Sequence, residues 1–187
     1  MLATSLHPVR GLRTALFASA LMAIGVAGCG SSDTHDHDHG ASGHDGEVLP
    51  GDPSFVRDPA LDVENVSATG SRKSHHMGES CTTCHQAKGP GRGRFTLAGT
   101  LYDANGVRVT GGKVSLRAAP NGPDLHVIEV DELGNFYTTR DVGLDKASLF
   151  VAVEALDGSK RAAMPFPTLS GACNHCHTGS RGVKLAP

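Results

Sequence analysis

Two stretches of this 187-residue chain carry the residue types that do chemistry, "CTTCHQ" at 81–86 and "CNHCHT" at 173–178. Each sets two cysteines three positions apart and a histidine directly behind the second. On a helical turn, positions 0, 3 and 4 fall within an arc of about 100°. Two thiols and an imidazole then share one face. C-x-x-C-H is the attachment signature for c-type haem, in which the thiols add to the two porphyrin vinyl groups and the histidine ligates the iron. The pattern assigns one covalent haem c to Cys81, Cys84 and His85 and a second to Cys173, Cys176 and His177. His85 and His177 are the proximal iron ligands.

Rival chemistries fit the spacing less well. A four-cysteine zinc ribbon sets its pairs about 15 to 20 residues apart, whereas 88 residues separate Cys84 from Cys173. A thioredoxin-like dithiol belongs in a βαβ context, which the sequence lacks. Plain CxxC disulfides do not need the histidine. The fifth cysteine, Cys29, belongs to neither motif.

The ligand on the other side of each iron decides what the iron can do. Distal candidates are His76 or His75, just before the first motif in "HHMGES", together with His175 and Met164. Met77 and His126 are weaker ones. Each has a plainer reading: an exposed histidine pair, a core methionine, a solvent-facing His175. His175 sits at about 200° from Cys173 on a helical turn. It faces away from its own clasp and is suited only to another haem, in this chain or a neighbouring copy.

The elements that must hold these motifs follow from patterning. Residues 15–27, "ALFASALMAIGVA", are an apolar run behind Arg10 and Arg13, too short to span a bilayer and stay there, and they read as an export signal over 1–28. Export implies an oxidising compartment. Val26-Ala27-Gly28-Cys29 resembles the lipobox of bacterial lipoproteins. The resemblance implies lipidation of Cys29, a membrane anchor and a place in the bacterial cell envelope. Gly30 behind the cysteine favours the outer membrane. The alternative is ordinary secretion with a free Cys29. Residues 29–68, rich in Gly, Ser, Asp, His and Pro, read as a tether. His35, His37, His39 and His44 in it either bind a divalent metal loosely or belong to a solvated spacer. A formal net charge of −2 without a basic run excludes nucleic acid as the obvious partner.

From 95 to 155 the chain alternates like short strands broken by turns at "DANG", "AAPNGPD" and "DELGN". This predicts a mainly β fold, a small antiparallel β-sandwich flanked by two short helical segments, at 69–94 and 156–187, that carry the CxxCH motifs. The stretch "FTLAGTLYDANGVRVTGGKVSL" followed by "VDELGNFYT" resembles the carboxypeptidase-regulatory-like, transthyretin-like sandwich at Gly99, Tyr102, Asp103, Gly106, Gly112, Val114, Leu116, Asp131, Gly134 and Phe136. That family is a non-catalytic scaffold, so it implies a fold and no activity. A sandwich of about 60 residues buries only about 60% of its unfolded surface. The two motifs on either side of it are the natural staples.

The chain as a whole resembles small multihaem lipoproteins in which two CxxCH units flank such a sandwich. The resemblance implies a dihaem electron carrier that meets redox partner proteins of the envelope. Alternatives are a dihaem enzyme with one open iron, peroxidase- or reductase-like, and an envelope binding module with CxxC disulfides. Homo-assembly through a histidine on a neighbour's haem is a further possibility.

Overall fold

The strand Leu97–Tyr102 (β1) explains most of the architecture. Its large apolar residues Leu97 and Leu101 flank the small Ala98, Gly99 and Thr100, and all but Tyr102 are buried. The structure, a computed structural model, describes residues 51–178 and 182–185. Within them β1 is followed by Lys113–Arg117 (β2), Asp124–Glu129 (β3), Asn135–Thr138 (β4), Phe150–Glu154 (β5) and Arg161–Ala163 (β6). A single α-helical turn, Cys173–Cys176 (α1), and the short strand Val183–Lys184 (β7) complete the order.

The strands form two sheets, one of order β4-β1-β7 and one of order β3-β2-β5-β6. The fold is thus mainly β, a small β-sandwich. The pairs β1–β4, β2–β3, β2–β5 and β5–β6 are antiparallel. β7 runs parallel to β1, a departure from the all-antiparallel expectation. Its cause is topological: the chain returns from α1 along the free edge of β1 instead of turning in a hairpin. The sheets also reach past 155, since β6 and β7 both follow it.

The core lies between the sheets. Leu97, Leu101 and Phe136 from one meet Val114, Leu116, Ile128, Val151 and Val153 from the other, closed by Val130, Val142, Leu149 and Leu185. Each such side chain contributes about 1.5–3 kcal/mol on burial. On β3 the inward residue is Ile128, while Leu125 and Val127 face solvent.

The chain before β1 is part of the domain. Residues 51–68, expected as tether, lie along the three-stranded sheet. Val66 bridges Thr138. Ser67 N–H donates to the Tyr137 carbonyl at 2.9 Å and Thr139 N–H to the Asn65 carbonyl at 3.1 Å. Buried backbone groups must be paired, and here β4 supplies the partners. The signal segment, Cys29 and the histidine tract lie outside the described residues. Among the described residues no helix is long and apolar enough to cross a membrane.

Candidate functional site

Both CxxCH motifs close the same backbone turn. Cys81–Thr83 is a turn of 3-10 helix, and His85 N–H donates to the Cys81 carbonyl at 3.0 Å. In α1 the equivalent bond runs from His177 N–H to the Cys173 carbonyl at 2.9 Å. Each motif is thus about one turn long, and neither lies in a longer helix. Gly89 stops the first turn, and Gly91 N–H comes back to the Cys84 carbonyl at 2.9 Å.

His85 is buried, and its ring is fixed on three sides. Nδ1 lies 2.9 Å from the Arg92 carbonyl and 3.3 Å from that of Gly93. Carbonyls only accept, so Nδ1 carries the proton and Nε2 is the lone-pair nitrogen. The ring stacks on Phe95 with centroids 4.0 Å apart, and Phe95 stacks on Tyr137 at 4.9 Å. A Cβ at Gly91 would come within 2.7 Å of the imidazole, so only glycine lets this loop lie on the ring. Burial holds the His85 pKa below the ordinary imidazole value, against the opposing pull of the two carbonyls. Near neutral pH it is a neutral, oriented donor.

The loop that accepts from His85 is itself clamped. The Arg57 guanidinium donates to the carbonyls of Gly89, of Gly91 at 2.7 Å and of Leu61 at 3.0 Å, and pairs with Asp62 at 2.7 Å. Sequence reasoning missed Arg57 because it lies in a proline-broken stretch with no periodic signal.

The second turn is built into the edge of β1. Ala98 N–H donates to the Gly171 carbonyl at 2.8 Å, and Ala98 bridges Ala172 in parallel. Thr100 N–H then donates to the side-chain oxygen of Asn174 at 3.0 Å. Asn174 Nδ2 donates to the Glu79 carbonyl at 2.7 Å and to Thr100 Oγ1 at 3.1 Å. The Thr100 hydroxyl donates to Asn135 Oδ1 at 2.6 Å and accepts from Gly78 N–H at 2.8 Å. Asn135 Nδ2 reaches Ser74 Oγ at 3.0 Å and the His75 carbonyl at 3.1 Å. These three side chains are buried and every polar atom among them is used. They tie residues 74–79, which lead into the first motif, to the interior of the second. Two motifs 92 positions apart in sequence are therefore joined through buried side chains of β1, β4 and α1.

The thiols differ in setting. Burial pushes the Cys81 thiol up to about 11, with the charges of Glu79 and Asp131 adding to it. Burial pushes Cys173, which lies against the core side chains, up to about 12. Neither is a thiolate near neutral pH, which disfavours dithiol redox catalysis. Cys81, Cys173 and Cys176 are free thiols, so neither CxxC pair is closed on itself. Cys84 is disulfide-bonded.

The other candidates fall in distinct places. His75 has its ring centre 5.9 Å from that of His85 and 4.9 Å from that of His76. Burial and the neighbouring His76 lower its pKa, and Glu79 opposes them. His76 is exposed, adopts a φ of 50° and contacts Glu79 at 3.3 Å. Met164 is partly buried against the core. His126 lies on β3, an edge strand of the four-stranded sheet, and Met77 and His175 are exposed. Among the described residues no three His, Cys, Asp or Glu side chains converge as donors for a metal ion. No family model matches the chain, and no curated protein or solved structure matches it.

Proposed function

We propose that the chain is a dihaem c-type cytochrome that relays electrons at the bacterial cell envelope. One haem c is held by Cys81, Cys84 and His85, the other by Cys173, Cys176 and His177. The bound irons supply one-electron Fe(III)/Fe(II) chemistry. The observation that carries this reading is His85: a buried imidazole directly behind a CxxC, its Nδ1–H given to backbone carbonyls and Nε2 left as the donor. That is the outer-shell arrangement by which proteins orient a metal-ligating histidine. Repetition of the same backbone turn at Cys173–His177 supports a second site of the same kind.

His75 is the preferred distal ligand at the first site. Its ring centre lies 5.9 Å from that of His85, so His75 is the histidine that could join His85 in holding the first iron. His76 is held instead by Glu79. At the second site Met164 serves the core, and His175, turned to solvent, suits a haem of a neighbouring copy. Lipid at Cys29 would anchor the domain to the membrane, where it would meet soluble or membrane-bound redox partners.

Full-length protein purified from a host equipped for cytochrome c maturation tests the reading. A pyridine haemochrome spectrum and an intact mass should give two covalent haems. Attachment at Cys84 requires that sulfur as a thioether, so Cys84→Ser should weaken attachment of one haem and leave the other in place. A colourless chain whose cysteines are paired as disulfides would overturn the proposal.

A further inference from the structure

Residues 75–79, which bring His75 beside His85, do not hold their own shape. His76 adopts a left-handed φ of 50°, a conformation that costs a non-glycine residue about 1–3 kcal/mol and persists only where the surroundings over-determine it. Gly78 is also left-handed, at 87°, and a Cβ there would meet Tyr102 Oη at 2.6 Å. Within the segment Glu79 N–H closes a turn on the His76 carbonyl at 3.1 Å, and the exposed Glu79 carboxylate meets the His76 ring at 3.3 Å. Further support comes from buried side chains on three other elements. Asn135 on β4 donates to the His75 carbonyl at 3.1 Å, Thr100 on β1 accepts from Gly78 N–H at 2.8 Å, and Asn174 in α1 donates to the Glu79 carbonyl at 2.7 Å. Asn174 lies between the two cysteines of the second motif, yet none of these side-chain bonds falls within its own turn: all run to Thr100 or to Glu79. The second turn closes without this side chain, through the bond from His177 N–H to the Cys173 carbonyl. The segment beside the first turn is what the amide serves.

We infer that Asn174, inside the second CxxCH motif, is a positioning residue for the first site: it fixes the segment that carries His75, and so sets whether His75 completes the ligation begun by His85. This rests on the haem reading above and on His75 as the distal ligand. An iron with two strong axial ligands is closed to added ligands, and one with a single axial ligand is open to them. The first site is therefore completed from the second motif. The two sites assemble as one unit, and a chain whose second turn is not docked on β1 has an open first iron.

The test is a carbon monoxide titration of the reduced, haem-loaded full chain, followed by absorption, in wild type, His75→Ala, Asn174→Ala and the double variant. His75→Ala opens the first iron and should add carbon monoxide uptake at one haem. Asn174→Ala should add uptake with the same difference spectrum, although the residue lies in the other motif. The double variant should take up no more than His75→Ala alone, because residues that act through one element are not additive. Should Asn174→Ala fail to accumulate, Asn174→Ser, whose shorter side chain cannot span Thr100 and Glu79 together, is titrated in its place. Wild-type uptake in an Asn174 variant carrying both haems overturns the inference and leaves the cytochrome reading intact. So does a double variant that exceeds His75→Ala, since Asn174 would then act at its own haem. Unchanged uptake in His75→Ala removes His75 as the ligand, and the inference with it. Wild-type protein without a Soret band overturns the inference and the cytochrome reading together.

Discussion

The two CxxCH turns share a backbone and differ in what holds them. The first is anchored from behind its histidine: His85 is buried, stacked on Phe95 and bonded to a loop that Arg57 clamps. The second is anchored from inside its CxxC: Asn174 is 1% exposed and reaches both Thr100 and Glu79, while Cys176 is exposed and His177 half-buried. The residues between the cysteines, Thr82-Thr83 and Asn174-His175, carry the difference. The Thr82 hydroxyl meets Ser80 Oγ, its neighbour two positions back, at 3.3 Å. The motif thus fixes the turn and the direction of its three functional side chains. The surroundings decide which of those side chains is rigid before any group is bound.

The sharpest way to break this contrast is to remove the buried amide. Asn174→Ala strands the Thr100 N–H, the Glu79 carbonyl and part of the Thr100 hydroxyl. Unsatisfied buried groups cost about 1–3 kcal/mol each. Urea denaturation should therefore show a loss of about 3 kcal/mol or more. Thr82→Ala, the matching position of the first motif, should stay within about 0.5 kcal/mol, as surface changes do. Similar losses for both would mean the two turns are held alike.

Next in size is Arg57. Hydrogen bonds to a charged group are worth about 1.5–3 kcal/mol, and Arg57→Ala removes those to the carbonyls of Gly89, Gly91 and Leu61. Some of those carbonyls gain water on loosening, so the net loss expected is about 2 kcal/mol in the same denaturation. The first haem should also show altered ligand-field bands as His85 loses its fixed acceptors, with the second unchanged. Equal perturbation of both would sever the link from Arg57 to His85.

Much of this was legible in the sequence. Alternation at Leu97, Leu101, Val114 and Leu116 reports the core because burial on one face of a strand imposes a period of two. The CxxCH spacing reports the turn because i, i+3 and i+4 share a helical face. What spacing could not report is proximity. Nothing along the chain says that Asn174 meets Glu79, since that contact depends on where α1 leaves the edge of β1. Thr100 and Asn135 left a faint trace, being polar residues inside strands that otherwise read as buried. Arg57 left less, since it sits in a proline-rich stretch with no periodic signal.

The histidines themselves give a smaller difference. His85→Ala forfeits a buried hydrogen bond of about 1 kcal/mol and a ring stack of about 0.5–1.5 kcal/mol. In protein made without haem it should lose about 2 kcal/mol, and His177→Ala, at a less buried ring, should lose less than half of that. The reverse order would move the rigid anchor to the second motif.

The smallest effect is one of pH. Burial lowers the pKa of His85 in the folded chain, so between that value and the unfolded value of about 6.5 the unfolded chain binds more protons. Stability then rises with pH through this window. The contribution is fully present above about pH 6.5, and falls away as pH drops through the folded pKa, because the buried imidazole must lose its site to take up a proton. His75 shifts in the same direction and adds to the slope, though it is exposed and its share is small. The denaturation midpoint of haem-free protein should therefore decline on acidification below about pH 6.5, and His85→Ala should flatten the decline. If His85→Ala left the slope as it is, the decline would not come from the buried imidazole of the first motif.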